Sequence, residues 1–125
     1  MIRKLAFVEI VVNDFNRMLE WYKDNLGFTV SQEVNNEDGR WCMLKTDEGD
    51  EHLALWQPPK PVICNGSKTA FFIPIFVVSD LLELVRDLRA KGVEITEDIR
   101  DRGAYRITTI KDTEKNEIQL VEFTH

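Results

Sequence analysis

The sequence predicts an α+β fold, two β-α-β-β-β modules in tandem, on three observations. A short phrase recurs: Val11-Val12-Asn13-Asp14 returns as Val77-Val78-Ser79-Asp80, an offset of 66. Each copy follows an apolar run of strand length and precedes a helical stripe that ends in glycine, at Gly27 and Gly92. Three short strand-like stretches, parted by turn-forming clusters, then follow each helix. The 125 residues have room for one compact domain or two very small ones. Halves of about 60 residues would each be marginal alone. One domain spanning 1–125 is therefore expected, its modules 1–57 and 69–125 sharing a core across a Pro-containing linker at 58–68.

The elements follow in chain order. Met1-Ile2-Arg3-Lys4 has the basic start of a signal peptide, but the apolar run after it stops at Asn13-Asp14 with no small-residue cleavage site. A strand is expected there. Phe15, Met18, Leu19, Tyr22 and Leu26 recur at helical spacing. Asp14 suits the N-cap, since its carboxylate accepts from free amides of the first turn, and Gly27 suits the left-handed residue past the end. Strands are expected at about 28–34, 40–45 and 51–56, parted by Asp38-Gly39 and by Asp47-Glu48-Gly49-Asp50. Gln57-Pro58-Pro59-Lys60-Pro61, continuing to about Lys68, reads as a stiff extended connection. In the second module Pro74 interrupts the opening strand, where a bulge is expected. Asp80 caps a helix whose stripe is Leu81, Val85 and Leu88, broadened by Leu82 and Leu84. Strands at about 93–97, 104–111 and 117–123 complete the repeat, parted by Asp101-Arg102-Gly103 and by residues 112–116.

Composition narrows the function. Sixteen Lys and Arg against 22 Asp and Glu leave a formal charge of −6, poorly suited to gripping a phosphate backbone, so no nucleic-acid partner is expected. The longest apolar run, Ala70–Val78, contains Pro74 and falls far short of the roughly 20 residues of a membrane helix. No membrane partner is expected. Cys42 and Cys64 form no CxxC pair, which fits a reduced cytoplasmic setting. The two histidines, His52 and His125, exclude any many-histidine site within one chain.

The phrase Phe7-Val8-Glu9-Ile10-Val11-Val12-Asn13-Asp14 and the helix ending Trp21-Tyr22-Lys23-Asp24-Asn25-Leu26-Gly27-Phe28 resemble the vicinal oxygen chelate superfamily. It includes glyoxalase I, extradiol dioxygenases, fosfomycin-resistance enzymes and bleomycin-resistance proteins. Asp112-Thr113-Glu114-Lys115-Asn116-Glu117-Ile118-Gln119-Leu120 is similar to its usual Asp-Pro-x-Gly-Asn-x-Ile-Glu-Leu ending, with Thr-Glu-Lys in place of Pro-x-Gly. The resemblance implies curved mixed sheets enclosing a cleft. It also implies a divalent metal on four positions, which fall here at Phe7, Ala54, Ile73 and Gln119, with Phe71 the alternative to Ile73. Phe, Ala and Ile offer no lone pair, and one neutral Gln cannot hold a catalytic divalent ion. No metal and no cofactor are expected.

Other residues are then expected to face the cleft. If the first and fourth strands of a module run antiparallel, Glu9 and His52 become lateral neighbours, roughly 5 Å apart at Cβ; the same move in the second module reaches Ile75 and Glu117. Glu9 and His52 would form either a carboxylate–imidazole pair able to move a proton or a cross-strand polar pair. A displaced metal set of Glu9, His52 and Glu117 is a further alternative. Arg106 reads as an inward anion clamp or as a solvated strand arginine. Trp41 and Trp56 are able to stack on a flat or cationic ligand. Phe7, Glu9, His52, Trp56, Ile73, Arg106 and Gln119 are thus the candidate ligand-binding residues, with Glu9 and His52 the candidate catalytic ones.

The expected function is a metal-independent binder of a small cationic or aromatic molecule, resembling the bleomycin-resistance branch, for which the resemblance implies a homodimer. The alternatives are a metal-dependent lyase or dioxygenase of the glyoxalase I type with other ligands, and a metal-free isomerase or epimerase using Glu9 and His52.

Overall fold

The computed structural model describes residues 1–61 and 73–123, and the chain divides into two units, residues 1–64 and 65–125. Most of the expected linker, Phe71, Cys64 and His125 lie outside the described residues. The first unit runs β1 (Val8–Val11), α1 (Phe15–Leu26), β2 (Thr29–Asn36), β3 (Gly39–Lys45) and β4 (Leu53–Gln57). The second runs β5 (Ile75–Val77), α2 (Leu81–Ala90), β6 (Glu94–Asp101), β7 (Tyr105–Lys111) and β8 (Glu117–Phe123). Each unit is one four-stranded mixed sheet with one helix, in the order β1-β4-β3-β2 and β5-β8-β7-β6.

The caps expected from the sequence start both helices. Asp14 Oδ1 accepts from the Arg17 amide at 3.2 Å, and Asp80 Oδ1 from the Glu83 amide at 3.1 Å. Gly27, at φ +75°, ends α1 in the left-handed conformation that spares a β-carbon its clash. A second device recurs that the pattern of apolar residues does not reveal. Gln57 Oε1, at the end of β4, accepts the Phe15 amide at 2.6 Å; Glu122 Oε1, near the end of β8, accepts the Leu81 amide at 2.7 Å. Each last strand thus satisfies an otherwise orphaned amide of its own module's helix.

Alternation decides which side chains meet the helix. In the first unit α1 buries Phe15, Met18, Trp21 and Tyr22 on the sheet face that carries Cys42, Leu44, Leu53 and Leu55, all buried. The Arg40 guanidinium lies 4.3 Å from the Phe15 ring centroid on that side. In the second unit Leu81, Val85 and Leu88 meet the face bearing Thr108, Ile110, Ile118 and Leu120. The opposite face of the first sheet carries Glu9, Trp41, Met43, Ala54 and Trp56.

Strand direction departs from expectation. β1 pairs parallel with β4, and β5 parallel with β8. The crossover helix keeps β2 parallel to β1, and two hairpins reverse the chain twice, so β4 runs as β1 does. The antiparallel expectation omitted one reversal. Pro74 does not bulge β5: it sits just before the strand and contributes only its carbonyl, which accepts from the Gln119 amide at 2.9 Å. Irregular registers occur instead between Val30 and Gln32 and within β6. Among the described residues no helix is long and apolar enough to cross a membrane.

Candidate functional site

The candidate site is the face of the first sheet turned away from α1. Parallel pairing sets Val8 against Leu53, Glu9 against Ala54 and Val11 against Trp56. β3 continues the rows, with Met43 beside Ala54 and Trp41 beside Trp56, and β2 adds Gln32 and Val34. Glu9 and His52 are therefore not lateral neighbours. His52 lies two residues back along β4, level with Phe7 and roughly 7 Å along the strands from Glu9's row. The expected side-by-side acid–base pair is not formed.

Each of the two has a different partner. Glu9 Oε1 accepts from Trp41 Nε1 at 3.0 Å, and the Trp41 ring meets Phe7 edge-on, centroids 5.9 Å apart. His52 Nδ1 lies 3.2 Å from the Ala6 carbonyl oxygen. A carbonyl only accepts, so the contact is a hydrogen bond when Nδ1 donates. The His52 carbonyl accepts from the Val8 amide at 2.8 Å, fixing this end of β1. Trp56 Nε1 donates to the Asp38 carbonyl at 2.9 Å, tying β4 to the β2–β3 hairpin.

Two shallow depressions result. One, of about 430 Å³, is bordered by Phe7, Gln32, Met43, His52 and the segments at 4–6 and 49–51. The other, of about 290 Å³, is bordered by Glu9, Val34, Asn36, Asp38, Gly39, Trp41 and Trp56. The second has aromatic walls and carboxylate edges, a lining suited to a cationic or flat group.

In the second unit Gln119 lies half-buried in β8 between Ile75 and Thr109. Ile73 precedes Pro74 and is half-buried. Arg106 stands opposite Glu122, the residue that caps α2, and so occupies the helix side of its sheet, not the side of Gln119. Its Nε is 3.8 Å from Asp101 Oδ2, both side chains exposed. The inward anion clamp gives way to a paired strand arginine.

Three of the four inherited metal positions carry no donor: Phe7 is 38% exposed, Ala54 is fully buried, and Ile73 is aliphatic. Among the described residues no three His, Cys, Asp or Glu side chains come together as a metal set; Glu9 and His52 belong to the first unit and Glu117 to the second. The residues present do not fit the family's divalent ion.

Asp38 borders the site without being among the expected site residues, and Trp41, expected to be able to stack on a ligand, borders it too. Trp41 flanks the buried Cys42 and so lies on the face away from the helix, where the parallel register of β1 and β4 brings it to Glu9. Burial pushes the Cys42 thiol up to about 11.

Two tandem βαβββ units, each with one helix-covered sheet face, define the class of paired-module α+β proteins. The chain belongs to the Glyoxalase/Bleomycin resistance protein/Dioxygenase superfamily, matching it over residues 4–120. It is 28% identical over 129 residues to YurT of Bacillus subtilis, covering 95% of this chain and 98% of that one. It is 33% identical over 98 residues to biphenyl-2,3-diol 1,2-dioxygenase 3 of Rhodococcus globerulus, covering 73% of this chain but only 48% of that enzyme. A glyoxalase family protein from Bacillus cereus superposes with TM-score 0.82 at 19% identity, covering 100% of this chain and 97% of that one. TnmS3, an antibiotic binding protein from Streptomyces, superposes with TM-score 0.77 at 18% identity, covering 98% of each chain.

Proposed function

We propose that the chain is a metal-independent binding protein for a small cationic or aromatic molecule, held on the open face of the first sheet. The observation that carries this reading is the cross-strand pair Trp41–Trp56 beside Glu9, on a face whose metal positions bear Phe7 and Ala54. Indole rings supply contact area with little rotamer entropy to lose, and the carboxylate supplies charge. An antibiotic binding protein with the same fold supports it by analogy alone. A homodimer in the cytoplasm belongs to the same reading: β1 and β5 are edge strands, with Val11, Ile75 and Val77 exposed.

A second reading, a metal-dependent lyase or dioxygenase, is favoured by the dioxygenase relative. It requires donors other than the four inherited positions. A thermal-shift screen of small cationic and aromatic compounds, run with and without EDTA, separates the two. The binder reading expects a stabilising compound whose effect survives EDTA and disappears in Trp56→Ala. Stabilisation that needs added Mn²⁺, Fe²⁺, Ni²⁺ or Zn²⁺ would establish the second.

A further inference from the structure

We infer that the depression between Trp41 and Trp56 selects a permanent organic cation, taking the alkylated ammonium group of a small molecule. The inference narrows the binding reading above and rests on it. Its first ground is which groups at the site are already engaged. Both indole N–H donors are satisfied within the protein, Trp41 Nε1 by Glu9 at 3.0 Å and Trp56 Nε1 by the Asp38 carbonyl at 2.9 Å. The rings are thereby held in place, and what they present to a ligand is their π surface, negative at its face.

The second ground is charge. Glu9 and Asp38 both border the depression, and no Lys, Arg or His lines it. Among the described residues neither carboxylate takes part in an ion pair, although Arg40, Arg89, Lys91, Arg100, Arg106 and Lys115 all do. Two carboxylates beside two ring systems make a local field that attracts a cation and repels an anion. A neutral aromatic ligand would shield the same carboxylates from water with nothing in return.

The third ground separates alkylated from primary ammonium. One Glu9 oxygen is already engaged by Trp41, and the rings accept only weakly. A primary ammonium brings three N–H groups whose strong acceptors here are only the Glu9 and Asp38 oxygens at the edge, not the rings, while a methylated one needs none. Its methyl groups instead meet the two rings and Val34, which is 43% exposed.

The test uses the full chain in EDTA, with choline and its uncharged isostere dimethylbutanol as probes, followed by tryptophan fluorescence. Choline is expected to bind about three- to tenfold more tightly, the discrimination that exposed cation–π contacts to two rings support, and to weaken as salt is raised. Glu9→Gln keeps the shape and the acceptor for Trp41, and is expected to abolish most of that preference. Trp56→Phe, a milder change than alanine, is expected to weaken choline several-fold.

Equal affinity for the two probes would overturn cation selection while leaving the binding reading intact. So would saturation by an uncharged aromatic compound with no response to choline. A choline preference unchanged in both variants would place the site elsewhere and overturn the inference. Absence of binding by every compound in the broader screen is a separate result, which overturns the proposed function itself.

Discussion

Gly39 turns the β2–β3 hairpin at φ +108°, close against the end of β4. A β-carbon built there would sit 2.1 Å from the Gln57 carbonyl oxygen, 3.1 Å from its carbon and 3.2 Å from Pro58 Cα. All three are backbone atoms, so no side chain can swing aside, and the hairpin would have to retreat by about 1 Å to restore ordinary contact. The positive φ adds strain of its own, about 1–3 kcal/mol for an L side chain. Retreat would also break the bond from Trp56 Nε1 to the Asp38 carbonyl, worth about 1 kcal/mol. Gly39→Ala is therefore expected to destabilise the fold by about 2–4 kcal/mol. Gly49 is the internal control: its φ is +89°, yet nothing lies within 4 Å of its built β-carbon. Gly49→Ala is expected to lose only about 1 kcal/mol, from the backbone term alone. Urea unfolding of the three proteins by circular dichroism measures both costs, and tryptophan emission reports whether Trp56 has lost its partner. If Gly39→Ala loses no more stability than Gly49→Ala, the close approach of hairpin and β4 is wrong, and with it the wall of the smaller depression.

Other expectations concern titration and the closing turn. Burial raises the folded Cys42 thiol from 9.0 to about 11, while the unfolded thiol ionises near its ordinary value. Its contribution is thus fully present below pH 9 and is lost as pH rises toward 11, at roughly 1.4 kcal/mol per unit. Stability curves of wild type and Cys42→Ala should converge or cross over that window; parallel curves would contradict burial of the thiol. Lys115 holds φ +69° where the resembled family has glycine, so Lys115→Gly is expected to gain about 0.5–1 kcal/mol, read as a higher urea midpoint. In the same variant Glu94 loses the Lys115 ammonium that holds its carboxyl below the usual range. Its titration by NMR should move up toward the ordinary value, and the stability it contributes above its unfolded pKa, lost as pH falls through the folded one, should shrink, Lys111 alone remaining to lower it.

Much of the fold was legible because the repeat is carried by local chemistry. Asp14, Asp80, Gly27 and Gly92 mark helix ends by backbone rules that hold whatever packs on them. The open face was partly legible too, since Trp41 and Met43 alternate with the buried Cys42. Which residues stand side by side was not. Glu9 sits against Ala54 because β1 and β4 run the same way, a fact set by chain reversals and not by either strand's sequence. The irregularity between Val30 and Gln32 shifts β2 by one residue, and no signal in Val30-Ser31-Gln32 announces it. Arg106 alternates with Tyr105, so its face followed only once Glu122, its cross-strand partner, was seen capping α2.

Phe7, Ala54 and Ile73 cannot ligate the family's metal, so the binding proposed for the first sheet's open face is expected to proceed without one. The most direct test is elemental analysis of protein purified without chelator, then after incubation with Ni²⁺, Zn²⁺, Mn²⁺ or Fe²⁺ and desalting. Far less than one metal ion per chain is expected in every case, and the same ligand affinity before and after EDTA. One tightly held ion per chain, lost in Glu9→Gln or His52→Ala, would contradict it.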